Sequence, residues 1–170
     1  FFWFMNSKPI LQCQEQMTGI EGLIPDPYYS GGGYHETTRG GKLGIHADFR
    51  VNEQLHLQRR LNLLIYLNER WEDEWLGQLE LWDKKMVKAV KRVSPVLNRC
   101  VVFRTDADTW HGHPDELNTP PDVSRRSIAL YYYTASKGVY QEVPTKSTIY
   151  RTRVGDDKQS RSQARRLWFW

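Results

Sequence analysis

A histidine and an aspartate stand one residue apart at His46-Ala47-Asp48. If residues 43 to 48 form a strand, both side chains point to the same face, because side chains alternate along a strand. An imidazole nitrogen beside a carboxylate oxygen is a donor pair for a metal ion. A third donor from a distant strand, His111 or His113, would complete two histidines and one carboxylate on one side of the ion, the arrangement of a non-haem Fe(II) centre with open positions. Those two histidines would share a strand face, so alternation does not choose between them. Taken alone, the His-x-Asp pair is more often a surface histidine and a turn carboxylate. A second run, Arg125-Arg126-Ser127, adds a group of a different kind. A guanidinium is always charged and grips a carboxylate through two parallel hydrogen bonds. Arg125 and Arg126 cannot both point inward, and Arg125 is the one that shares its face with Ser127.

The elements that must position these residues read as β through the middle of the chain. Leu61 to Leu67 is an apolar run broken only by Asn62, Gly77 to Trp82 alternates, Cys100 to Phe103 is β-branched and aromatic, and Arg126 to Tyr133 is rich in aromatics. Each predicts a strand. Asn62 has the strand parity of Tyr66, and a polar residue in such a run needs a hydrogen-bonding reason. Gly31-Gly32-Gly33 bounds a loop, and Gly40-Gly41 predicts a hairpin-like turn between a strand near Tyr34 and the one carrying His46. Pro114, Pro120 and Pro121 interrupt the segment after His113. Upstream, Ser7 and Pro9 mark a helix start, and Ile10 to Met17 predicts two turns ending at Gly19. Many short strands with few helices predict a sandwich or barrel, of which the double-sheet jelly roll is one solution.

Composition narrows the class. The 170 residues are 39% hydrophobic and 13% aromatic with a net charge of +4, which suits one sizeable core and a single domain over 1–170. No apolar run approaches the roughly 20 residues of a membrane span, so a soluble protein without a membrane partner is expected. Phe1 to Phe4 has no basic stretch before it and no small-residue cleavage site after it, and it is not read as a signal peptide. The chain does not open with Met, and a trimmed piece is the expectation. Cys13 and Cys100 read as free thiols in a reducing, cytoplasmic setting. The basic tail of about 151–170, with Arg151, Arg153, Lys158, Arg161, Arg165 and Arg166, has the charge to meet nucleic acid. No recognition-fold signature accompanies it, and nucleic acid is not expected as a partner.

Six blocks then occur in order: Gly31 to Glu36, Gly44 to Phe49, Arg60 to Asn68, Leu79 to Asp83, Trp110 to Pro114 and Arg125 to Tyr133. This series resembles the prolyl 4-hydroxylase-like branch of the 2-oxoglutarate and Fe(II)-dependent dioxygenases over a core of about residues 30–135. The resemblance implies a mainly β fold with flanking helices, a double-stranded β-helix or distorted, cupin-like jelly roll that houses iron at one open end. It implies His46, Asp48 and His111 as metal ligands, with His113 beside them or at the mouth. It implies Arg125 and Ser127 as the clamp for the far carboxylate of 2-oxoglutarate, with the Tyr66 hydroxyl reaching the same group and Tyr34 near the iron-side carboxylate. The implied cofactors are Fe(II), 2-oxoglutarate and O2, with ascorbate as an optional reductant. The implied reaction is hydroxylation of an unactivated carbon of an amino-acid, peptidyl (including prolyl) or small-molecule substrate, with release of succinate and CO2. Related halogenases replace the carboxylate ligand with a small residue, and retention of Asp48 favours hydroxylation, although desaturation and ring closure use the same triad.

The chain departs from that family in places. Leu76-Gly77 stands where members usually carry two glycines, and the lead-in before Gly31 is short. The aromatic ends, Phe1 to Phe4 and Leu167 to Trp170, are expected to patch a face or join an oligomer interface, since large apolar patches are seldom left bare. Nothing after Thr134 is assigned to catalysis. The acceptor and the oligomeric state are left open. The competing reading is a non-catalytic jelly-roll module that keeps a metal, against which the Arg-x-Ser clamp argues, because a structural metal needs no cosubstrate site.

Overall fold

Alternation along two long strands, β5 (Leu57–Tyr66) and β10 (Arg125–Ala135), sets the architecture of the computed structural model, which describes residues 1–135, 147–153 and 156. The two strands pair antiparallel, from Ser127 opposite Tyr66 to Ala135 opposite Leu57. One face of the pair carries Leu61, Leu63, Leu130 and Tyr132, with Ile65 and Ile128 beside them, and packs on Met5, Ile20 and Leu23. Helices α1 (Phe2–Met5) and α2 (Lys8–Thr18) cover this face, contributing Phe2, Ile10 and Leu11. The Tyr132 hydroxyl donates to the Met5 carbonyl at 3.1 Å and ties the first helix down. The second helix begins after Ser7 with Pro9 in its first turn and ends at Gly19, as the sequence predicts.

Four short strands complete the first sheet. β1 (Ile24–Pro25) and β2 (Gly33–Thr37) pair with β10, while β4 (Val51–Asn52) and β8 (Cys100–Arg104) pair with β5. The second sheet runs β11 (Ile149–Tyr150), β3 (Leu43–Ala47), β9 (His111–His113), β6 (Leu79–Trp82) and β7 (Ala89–Val93). Every pairing between named strands is antiparallel. Two such sheets with helices on the outside of one make the double-stranded β-helix. Tyr66, Leu79 and Phe103 pack with Leu64, Leu81, Val93 and Val101. Ile45, Ala47 and Trp110, with Trp82 and Met86, form a third cluster, built from the β3 residues of opposite parity to His46.

Three elements differ from expectation. The Gly40-Gly41 turn does not close a hairpin, because β2 belongs to the first sheet and β3 to the second. Its polar groups go to the 113–123 loop instead: Gly40 N–H donates to Leu117 O at 2.8 Å, and Leu117 N–H donates to Gly41 O at 3.0 Å. β7 was not anticipated, since its charged, exposed middle residues suit a sheet edge and carry no buried alternation. β11, also unanticipated, pairs with β3 at Ala47 and His46. Phe1, Trp3 and Phe4 are largely exposed, so they do not patch the sheet. Cys13 and Cys100 are free.

Candidate metal and cosubstrate site

The metal-binding face depends on a misfit between β3 and β9. Leu43 lies opposite His113 and His46 opposite His111, so three steps on one strand match two on the other. Such a bulge re-aims side chains, and here Leu43, His46, His111 and His113 all line one cavity. Gly112 allows the close approach, because a Cβ there would stand 2.7 Å from the Leu43 carbonyl oxygen. Asp48, just past the end of β3, shares the face of His46 as the His-x-Asp spacing predicts. His46 Nδ1 lies 2.9 Å from Gly44 O and His111 Nδ1 lies 3.1 Å from Thr109 O. A carbonyl only accepts, so each Nδ1 carries the proton and each Nε2 turns its lone pair inward. Those atoms stand 3.5 Å from Asp48 Oδ1 and 3.3 Å from Asp48 Oδ2, and one donor atom from each residue falls within 4.8 Å of the others. Neighbouring ligands on bonds of roughly 2.1 Å stand about 3 Å apart, so the spacing fits one ion. Two imidazoles and one carboxylate on one side suit Fe(II). Burial and the adjacent His46 push the His111 imidazole pKa down, which keeps it neutral and ready to ligate.

A buried cation fixes the carboxylate. Arg59, 2% exposed, brings a guanidinium nitrogen to 3.1 Å from Asp48 Oδ2, and Asn62 Nδ2 donates to the same oxygen at 2.7 Å. Arg59 also donates twice to Asn62 Oδ1, at 2.6 and 3.0 Å, and its guanidinium lies 3.5 Å from the Tyr131 ring centre. This is the hydrogen-bonding reason for Asn62. Burial pushes the Asp48 carboxyl up, but Arg59 and the two imidazoles outweigh it and hold the group well below the usual carboxylate range. With Oδ2 occupied by Asn62 and Arg59, Oδ1 is the atom left for a metal. Simple alternation from Asn62 would turn Arg60 inward and Arg59 outward. A bulge opposite Tyr132 and Tyr133 leaves Arg60 unpaired and reverses the parity, which is why the sequence reading missed Arg59.

Arg125, 6% exposed, lies in the same cavity, which measures about 230 Å³ and is also lined by Ser127, Leu43, Leu64, Leu79 and Phe103. Its Nε donates to Gly77 O at 2.8 Å, and one terminal nitrogen lies 3.4 Å from the Tyr66 hydroxyl. Tyr66 is fully buried, but it backs Arg125 and does not reach the cavity wall. Burial raises its pKa against the pull of Arg125. Arg126 points outward and pairs with Glu36 at 3.0 Å. Tyr34 requires a correction: it is 38% exposed and opposite Ile128 on the outer parity of β2. Its neighbour His35 lines the cavity instead. His113 is buried within the cavity, and its imidazole pKa is pushed well down by burial and then by Arg125.

The tail supplies part of the wall. Thr148 and Tyr150 line the cavity, and the Tyr150 ring centre lies 5.3 Å from that of His46. Arg151 stands over the Trp110 ring at 5.3 Å, and Arg153 pairs with Asp115 at 2.7 Å and Asp156 at 3.1 Å. These basic residues hold the segment to the domain. Lys158, Arg161, Arg165, Arg166 and the aromatic end Leu167 to Trp170 lie outside the described residues. No signal in the sequence singled out Tyr150, because its partner strand is more than a hundred positions earlier.

Comparisons with known proteins give a family and a fold. The family model described as the 2OG-Fe(II) oxygenase superfamily matches residues 32–133. No curated protein matches the sequence. Among solved structures, the chain is similar to a prolyl 4-hydroxylase from Phytophthora capsici, at 21% identity and a TM-score of 0.55, over 78% of this chain and 41% of that one. It is also similar to HygX from Streptomyces hygroscopicus with iron bound, at 12% identity and a TM-score of 0.51, over 79% of this chain and 67% of that one. These two likenesses are of fold. A prolyl hydroxylase from Trichoplax adhaerens aligns at 24% identity with a TM-score of 0.46, over 59% of this chain. The chain spans 41% of the length of each of the two prolyl hydroxylases. With the family model covering most of the chain and its span enclosing His46, Asp48, His111 and Arg125, the chain belongs to the 2OG-Fe(II) oxygenase superfamily.

Proposed function

We propose that the protein is a 2-oxoglutarate- and Fe(II)-dependent dioxygenase that hydroxylates an unactivated carbon of an amino-acid, peptidyl or small-molecule acceptor. The observation that carries this reading is one cavity with a His46, Asp48 and His111 donor set and a buried, cavity-facing Arg125. Iron held by the three side chains would supply the redox chemistry by which O2 converts 2-oxoglutarate to succinate and CO2 and the acceptor C–H to C–OH.

The chain's own residues do the rest. His46 and His111 present fixed Nε2 lone pairs because their Nδ1 protons are tied to backbone carbonyls, and such partners orient a ligand. Asn62 and Arg59 hold the Asp48 carboxylate in one orientation. Arg125 meets the far carboxylate of the cosubstrate in a setting where a charge-assisted pair is strong. Leu43, Leu64 and Leu79 offer apolar wall to its methylenes and exclude water. Tyr150, half exposed, stands with Phe49 and Thr148 on the solvent side, where an acceptor would approach. A structural metal would leave Arg125 without an anionic partner.

The test is anaerobic titration of the protein with Fe(II) and 2-oxoglutarate, following the weak visible charge-transfer band of the chelate. The expected result is a band that His46→Ala and Arg125→Ala abolish or weaken. Failure of folded wild-type protein to bind either component would overturn the assignment.

A further inference from the structure

We propose that His113 donates the second hydrogen bond to the far carboxylate of the cosubstrate beside Arg125, which makes it a residue that selects a dicarboxylate. The inference rests on the cosubstrate assignment above and concerns a residue that the assignment leaves idle. Two residues past the ligand His111 on β9, His113 shares its face, and about 6.6 Å of strand separates them. That is close to the span of a five-carbon dicarboxylate whose other end is at the metal.

The surroundings say what the ring is for. His113 is 4% exposed, yet its Nδ1 has no hydrogen-bond partner among the described residues. A buried ring nitrogen without a partner is costly, and with its proton on Nδ1 the ring can take that partner from a ligand in the cavity. The cavity around it contains the Arg125 guanidinium and the apolar side chains of Leu43, Leu64 and Leu79. The other donor at this end, the Tyr66 hydroxyl, is turned to Arg125 and lies off the cavity wall. Arg125 already uses its Nε on Gly77 O, so its outer nitrogens, the Ser127 hydroxyl on the same wall and the His113 N–H are the groups that can share one carboxylate.

The experiment is calorimetric titration of Zn(II)-loaded protein, which binds without turning over, with 2-oxoglutarate and with 2-oxopentanoate, which keeps the keto acid but has a methyl in place of the far carboxylate. His113→Leu is expected to weaken 2-oxoglutarate binding about tenfold or more, the loss typical of one hydrogen bond to a charged group, and to leave 2-oxopentanoate binding within about twofold. His113→Asn, whose amide can replace Nδ1–H, is expected to recover most of the loss. In the wild type, ¹⁵N-labelled histidine spectra should show a slowly exchanging Nδ1 proton on His113 with 2-oxoglutarate and none with 2-oxopentanoate, a readout that stands even if His113→Leu does not fold. Equal weakening of both ligands, unchanged 2-oxoglutarate affinity, or no such proton would overturn the role of His113 while the cosubstrate assignment survives. Absence of 2-oxoglutarate binding by the wild type would instead count against the assignment itself.

Discussion

Arg59 illustrates how a single buried charge is justified at the residue scale. It is among the most deeply buried side chains described, and its neighbours are an anionic carboxylate, an amide oxygen and two aromatic faces. Removing one partner of a buried pair leaves the other uncompensated, at a cost of about 3–5 kcal/mol. Arg59→Met is therefore expected to lower stability by about 3 kcal/mol in denaturant unfolding. Because outer partners of a ligand commonly account for 10–100-fold in metal affinity, the same variant should bind Fe(II) roughly tenfold more weakly in competition with a chelator. Tyr34 supplies the opposite expectation. Its exposed position predicts that Tyr34→Phe leaves 2-oxoglutarate affinity within about twofold, whereas loss of Arg125 should reduce it by at least a hundredfold, as expected for a doubly hydrogen-bonded ion pair.

At the scale of elements, the loop before β6 carries both a backbone conflict and the carbonyl that holds Arg125. Leu76 adopts φ 60° and ψ −153°, a region open essentially to glycine alone and costing other residues about 1–3 kcal/mol. Leu76→Gly should raise stability by about 1 kcal/mol, or roughly 3 °C in Tm, and differential scanning calorimetry would register it. The conformation persists because Trp71 Nε1 donates to Leu76 O at 2.9 Å and the next carbonyl, of Gly77, accepts from Arg125. Gly77 is the contrasting case. It has φ 75°, and a Cβ there would fall 2.3 Å from Leu117 Cδ2 and 3.3 Å from Arg125 Cδ. Gly77→Ala should thus lower stability by about 2 kcal/mol and weaken 2-oxoglutarate binding by displacing Arg125, measurable in the same titration. The absence of a second glycine at position 76 leaves the Arg125 to Gly77 hydrogen bond in place.

Over the whole molecule, two tyrosines couple packing to pH. Burial pushes the Tyr132 and Tyr133 hydroxyls up to about 12, while an unfolded chain ionises near the ordinary value of 10. Between those values the folded state holds protons that the unfolded state has lost, so stability is fully present below pH 10 and falls as pH rises toward 12. The expected slope is about 1.4 kcal/mol per pH unit for each tyrosine, read by urea unfolding at stepped pH. Replacing Tyr133 with Phe should lower the slope by about the share of one tyrosine. Tyr132 also carries the hydrogen bond to Met5 O, so alkaline titration should release α1 from the first sheet as the transition begins.

Local pattern was enough to read the strands that bury one face, the helix from its start signal to Gly19, and the His46 to Asp48 spacing, because each depends on a period of two or of 3.6 within a few residues. The six ordered blocks carried the family and, with it, the antiparallel double sheet. What only the tertiary structure decided lies where strands are out of step or far apart in sequence. The β3 bulge aims both histidines of β9 and His46 into one cavity, the β5 bulge turns Arg59 inward in place of Arg60, and pairing across more than a hundred residues brings Tyr150 against His46. Alternation assumes an unbroken ladder, and a single inserted residue reverses every side chain beyond it. His35, and not Tyr34, lines the cavity because the register of β2 on β10, and not the chemistry of either side chain, chooses which of the two turns inward.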